Sequence, residues 1–312
     1  MSKEAGSALP AAEAARVPAV IKAIPVRHPW RWVSAAVVLA VAAAIAHAFA
    51  VSPYIRYGII AKYQFSSEIL SGLELTVVYT VLAEGIGIIL GILAAVMRLS
   101  QNPVLSIAAS FYVWLFRGVP ILVQILLWYN IALVFPRLGI GIPFTHIWVS
   151  AQTNSILTTF VAAVVALSLN EGAYMAEIVR AGIISIDLGQ SHAAQALGMS
   201  PAQTMRRIVL PQALRVIVPP TGNDFVSMLK TTSLVSVISG AELLTKVQEI
   251  YSQNFRTMEL LFVASIWYLA LTTVASIGQH FLEARLARGT GREVRYTMWE
   301  RIRHNLALGR VR

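Results

Sequence analysis

Stretches of about twenty mostly apolar residues recur along this chain, and they leave it few folds to choose from. A helix needs about 20 such residues to cross the hydrocarbon of a bilayer, where only helices and closed barrels can satisfy their own backbone. The stretches lie near residues 33–51, 75–97, 111–135, 156–176, 214–229 and 260–282. The fifth is the least apolar, because it holds Pro219, Pro220, Asn223 and Asp224. Of the 312 residues, 57% are hydrophobic and 13% charged, whereas a soluble domain carries about 25% charged residues. The chain therefore reads as an all-α polytopic membrane protein with six transmembrane helices. It has no cysteine, which excludes disulfides, thiolate catalysis and Cys-ligated zinc or iron–sulfur sites.

The basic residues orient the helices. With the N-terminus inside, residues 1–32, 98–110, 177–213 or slightly beyond (counting Arg215 at the mouth of the fifth helix) and 283–312 carry 18 of the 25 Lys and Arg; the outer loops carry 6, and Arg117 lies within the third span. Cytoplasmic loops are the basic ones in membrane proteins, so both termini are expected in the cytoplasm. The same rule accounts for the net charge of +10 without nucleic acid, for which no basic run interleaved with stacking aromatics exists. Ala46-His47-Ala48 has the form of a signal-peptidase site. The 32 residues before the first apolar run are longer than the charged region of a signal peptide, which favours an uncleaved helix.

One cytoplasmic segment is unusually well punctuated. Asp187 stands where it can cap a short helix over 188–197, and Gly198 follows where a left-handed cap is expected. Ser200-Pro201-Ala202-Gln203 combines a Ser cap, Pro at the first helical position and Gln at the third, a capping box. The second helix is expected to stop near Val209, since Pro211 disfavours helix at Leu210. Small Ala193, Ala194 and Ala196 would let another surface approach the first arm.

The order Ala193-Ala194, Gly198 and Ile208-Val209-Leu210-Pro211 resembles the EAA loop of ATP-binding-cassette importer permeases. The blocks "FRGVPILVQ" (116–124), "NEGAYMAEIVRAGI" (170–183), "GQSHAAQALGMS" (189–200), "RRIVLPQALRVIVPP" (206–220) and "KTTSLVSVI" (230–238) are similar to the polar amino-acid branch: histidine, glutamate, glutamine, arginine and opine permeases. The resemblance spans residues 69–285 and implies a type I importer permease fold in a bacterial inner membrane. It also implies three protein partners: an ABC ATPase docking on residues 187–211, a second permease subunit (another copy or a paralogue) and an extracytoplasmic solute-binding protein. His192, Ala193, Ala194, Gly198, Ser200, Ile208, Leu210 and Pro211 would form the docking loop. Two positions depart from the pattern: His192 stands where glutamate is expected and Thr231 where aspartate is. Residues 33–68, an extra first helix and outer loop, fall outside the resemblance, as do an N-terminal tail (1–32) and a basic C-terminal tail (286–312).

No phosphate-loop motif and no metal-ligand spacing occurs in the sequence. The chain is thus expected to be no enzyme and to bind no cofactor or metal, with ATP and Mg used by the partner ATPase. The glycines of "GIGIILG" (85–91) read as close helix packing through small residues. Ionisable groups at membrane depth mark paths or partners. Glu84, Arg117, Asn223 and Asp224, with Pro219 and Pro220 freeing the carbonyls of Arg215 and Val216, are the candidate path for a polar amino acid; a structural Arg117–Glu171 pair is the alternative for those two residues. A secondary transporter or channel for small polar solutes is the alternative function, but it gives the capped hairpin no role, and no inverted repeat supports it.

Overall fold

The computed structural model describes residues 30–141 and 148–286. Both expected tails lie outside these residues, save for their innermost few. The chain divides into two units at Ile55. In the first, α1 (Trp30–Ala50) is mostly apolar and shows no one-sided polar stripe. Its 21 residues reach about 30 Å, enough to cross the hydrocarbon.

The second unit opens with α2 (Tyr57–Tyr63) and the 32-residue α3 (Ser67–Arg98). Helix α3 starts eight residues before the expected span because Ser66 caps it, its hydroxyl accepting from the Ile69 N–H. Then come α4 (Pro103–Gly118) and α5 (Ile121–Tyr129), a 3₁₀ turn at Ile131–Leu133, the strands β1 (Arg137–Gly141) and β2 (Trp148–Gln152), and the short α6 (Thr153–Ile156). The strands pair antiparallel, with Arg137 opposite Gln152. The long α7 (Thr159–Ile184) leads into α8 (Leu188–Ala196) and α9 (Pro201–Thr204). A π-helical turn at Met205–Val209, α10 (Leu210–Thr231), a 3₁₀ turn at Thr232–Ile238, α11 (Leu243–Asn254) and α12 (Thr257–Leu286) complete it.

Helices α3 and α7 run side by side and parallel. Ala95, Met175 and Val179 share one buried cluster, and two glycines bring the backbones together. A Cβ on Gly91 would stand 2.5 Å from Met175 Cβ, and one on Gly87 2.8 Å from Glu171 Cβ. In lipid, where tails are as apolar as leucine, such close packing of small residues is what holds helices. The packing expected of the glycine-rich stretch is therefore made by Gly87 and Gly91; Gly85 meets nothing within 4 Å.

Three expectations need correction. The third span is not one helix: α4 and α5 meet at 102°. Pro120 forbids helix at Val119, which is extended (ψ 131°), and the Gln124 amide donates to the Phe116 and Val119 carbonyls, both at 2.8 Å. Secondly, the hairpin's second arm does not stop before Pro211. In the π turn the Leu210 N–H reaches Met205 O, a wider ring that relieves the clash of the proline ring with the turn before it. Thirdly, Pro219 and Pro220 do not interrupt α10, which stays helical through both. Four described helices (α1, α3, α7 and α12) are long and apolar enough to span a membrane, and the bent pair makes a fifth; α10 falls short.

Candidate functional site

Two constructions stand out in the second unit. The first is the α8–α9 hairpin. The Asp187 carboxylate accepts from the Gly189 N–H at the start of α8. At its end the Gly198 N–H donates to Gln195 O (2.9 Å) and the Met199 N–H to Ala194 O (3.1 Å). This is a Schellman cap, and it requires the left-handed φ of +81° that Gly198 adopts. The capping box is complete: the Gln203 N–H donates to Ser200 Oγ, and the Ser200 N–H to Gln203 Oε1. His192, Ala193, Gly198, Ser200, Leu210 and Pro211 are exposed, and Ile208 is half-buried. Ala194 is buried, because α8 packs against α9 and the π turn. The close approach expected at Ala194 is thus made by the chain itself, and Ala193 and Ala196 are left facing outward. Leu188 and Leu197 project from the same hairpin, 73% and 83% exposed.

The second construction is polar and lies among the long helices. Glu84 of α3 and Glu171 of α7 are buried, at 5% and 6% exposure, and Asp224 of α10 is half-buried. The three interact electrostatically. Both carboxylate oxygens of Glu84 and one each of Glu171 and Asp224 are buried and have no hydrogen-bond partner among the described residues. Unpaired charge at such depth is expensive, so this cluster calls for a cationic occupant or protons. Beside it the Gln279 amide of α12 donates to Asn223 Oδ1 (2.9 Å) and to the Pro219 carbonyl (3.4 Å). Gln279 packs on Gly222. Sequence reasoning missed Gln279, whose only signal was a polar residue in the last apolar span.

Arg117 belongs to a different group. It pairs with Glu177 (3.5 Å), not Glu171, and its guanidinium lies over the Tyr174 ring at 5.0 Å. Glu177 also receives Arg98 (2.6 Å) and Arg180 (3.0 Å). Glu171 and Glu177 lie six residues apart on α7, and the sequence alone does not say which of the two glutamates Arg117 reaches. The packing of α4 against α7 settles it, bringing the Arg117 guanidinium over Tyr174 and within reach of Glu177.

The second unit thus packs α3, the bent α4–α5 pair, α7, α10 and α12 together, with a capped hairpin between α7 and α10. Residues 87–288 match the family described as binding-protein-dependent transport system inner membrane component. The chain belongs to this family. Its members are membrane permease subunits of ABC transporters and not enzymes. The permease is 40% identical to an arginine transport system permease protein of Corynebacterium glutamicum, over 88% of its own length and 86% of that protein's. It is 35% identical to a glutamine transport system permease protein of Escherichia coli, over 70% and 92%. A solved structure of an amino acid ABC transporter with histidines superposes with a TM-score of 0.64 at 36% identity, covering 74% of the permease and 99% of that chain. A methionine ABC transporter in an inward-facing conformation shares the fold alone, at 18% identity and a TM-score of 0.56.

Proposed function

We propose that the permease conducts amino acids with a basic side chain, driven by a separate ATPase docked on the α8–α9 hairpin. Relatives of similar identity handle arginine, glutamine, cystine and octopine by their names, so kinship leaves the substrate open. The cluster of Glu84, Glu171 and Asp224 carries the choice. Three carboxylates with no basic partner among the described residues favour an ammonium or guanidinium group and repel an acidic side chain. Asn223 and Pro219 stand on the same helix as Asp224, and the Gln279 amide of α12 holds both. Arg117, already engaged with Glu177 and Tyr174, is left out of this path. An extracytoplasmic binding protein delivers the amino acid, and a second permease subunit, another copy or a paralogue, faces the first. With both termini inside, as the 18-to-6 charge split favours, the hairpin meets the ATPase in the cytoplasm. ATP and Mg then act in the partner.

The hairpin assignment is tested by cross-linking, which the cysteine-free chain makes simple. His192→Cys should form a disulfide with a cysteine placed on the ATPase surface, and uptake should survive a protonophore. Uptake that collapses with the proton gradient, together with no cross-link at residue 192, would instead support an ion-driven transporter.

A further inference from the structure

The group around Glu177 has more positive charge than its structure needs. Arg98 ends α3, Arg117 lies at the end of α4 and Arg180 stands in α7. Among the described residues, all ion pairs of these three arginines end on Glu177: Arg98 and Arg117 on Oε1, Arg180 on Oε2. Three cations against one carboxylate leave a surplus of two charges. Arginines near helix C-termini commonly meet free carbonyls, but here other donors have taken them. Gln124 and Asn170 donate to Phe116 O, Gln124 to Val119 O, and Ser106 Oγ to Arg98 O.

Arg117 is the least committed of the three. It is 42% exposed and holds Glu177 only at 3.5 Å, while its guanidinium carbon lies 5.0 Å from the centre of the Tyr174 ring. It borders a cavity of about 410 Å³ whose wall includes Arg98, Ser110, Trp114, Arg117, Tyr174 and Glu177. Trp114 of that wall ends an exposed apolar stripe along α4, with Val104, Ile107 and Phe111 at helical spacing.

We propose that this cavity binds the phosphodiester headgroup of an anionic phospholipid. Guanidinium forks match phosphate oxygens in pairs, Ser110 offers a hydroxyl, and the α4 stripe offers an acyl chain its apolar surface. Basic pockets between membrane helices take anionic headgroups on this principle. The site is independent of which amino acid crosses the permease.

The test is native mass spectrometry of the whole transporter, permease with ATPase, released from nanodiscs of mixed phosphatidylglycerol and phosphatidylcholine. The wild type should retain phosphatidylglycerol in preference, and Arg117→Gln should lower that preference about fivefold, the effect of one basic residue at a membrane surface. Glu177→Gln, which removes the competing carboxylate, should raise it. If Arg117→Gln does not assemble, Arg117→Lys serves, keeping the charge without the fork and giving an intermediate preference. Equal retention of both lipids by the wild type would overturn the proposal, as would a preference unchanged by the Arg117 variants. A separate arm titrates inorganic phosphate into phosphatidylcholine discs. Arg117-dependent phosphate binding without lipid preference would also overturn it, by making the ligand a soluble anion.

Discussion

Replacing Gly91 by alanine adds a single methyl group to the seam between α3 and α7, and its effect can be worked from the contacts. The new Cβ would stand 2.5 Å from Met175 Cβ, 2.6 Å from Met175 Cγ and 3.0 Å from the Ala176 backbone nitrogen. Carbon atoms rest at about 3.5–4.0 Å, so the intrusion is about 1 Å, and two of the three neighbours are backbone or Cβ atoms that no rotamer change can move. Overpacking of this kind costs about 1–3 kcal/mol, offset by about 0.5–1 kcal/mol from alanine's better helix propensity. The control lies six residues earlier. Gly85 meets nothing within 4 Å, so Gly85→Ala should give the propensity gain alone. Thermal unfolding of the permease–ATPase complex in nanodiscs, followed by tryptophan fluorescence, should rank Gly85→Ala above wild type and wild type above Gly91→Ala. Met175→Ala in the Gly91→Ala background should restore part of the loss, since it removes Cγ but not Cβ. A Gly91→Ala permease as stable as the wild type would mean that α3 and α7 do not meet in this register.

At Gly198 no atom lies within 4 Å of an added Cβ, so only the backbone at φ +81° objects. A non-glycine residue there costs about 1–2 kcal/mol, more if β-branched. Gly198→Val should reduce ATP-driven uptake at least fivefold at normal membrane levels, and Gly198→Asn should do little; equal uptake in all three would refute the docking geometry. Glu242, outside the apolar spans, accepts from the Leu244 and Thr245 N–H groups, the Thr245 hydroxyl and Tyr268 OH. Glu242→Ala should therefore destabilise by about 2–4 kcal/mol, with Glu242→Gln less harmful, as measured by the same unfolding assay. Burial pushes the Glu242 carboxyl above its ordinary 4.5, so the folded state holds this proton more tightly than the unfolded one. That contribution is full below pH 4.5 and declines as pH rises through the higher folded value, a decline Glu242→Gln should flatten. A cysteine introduced at position 205 should resist an impermeant reagent in sealed cells; labelling from outside would reverse the topology.

What the sequence disclosed was what single residues enforce locally. Gly198, Ser200 and Gln203 encode their hairpin in neighbouring positions, and the structure repeats it bond for bond. Misreadings came where a partner outside the local stretch set the outcome. Pro120 was legible as a helix breaker, yet the long apolar composition of 111–135 hid it, and Gln124's return to the Phe116 and Val119 carbonyls made the sharp bend stable. Pro211 obeyed its local rule only until the π turn widened the ring before it. The acids Glu84, Glu171 and Asp224 were visible as costly residues, but their meeting depends on the α3–α7 seam and on α10 packing against both helices, and no local period reports that.

The central claim is that a cationic amino acid passes the cluster of Glu84, Glu171 and Asp224 at the expense of ATP. Its most direct test is uptake of a labelled panel (arginine, lysine, histidine, glutamine and glutamate) by proteoliposomes holding the permease, its ATPase and its binding protein, with and without Asp224→Asn and Glu171→Gln. The wild type should import the basic amino acids in an ATP-dependent manner and exclude glutamate. The two variants, shown to assemble, should lose that preference or the transport itself. Preferential uptake of glutamate, or variants that assemble and carry the same panel at wild-type rates, would contradict the account.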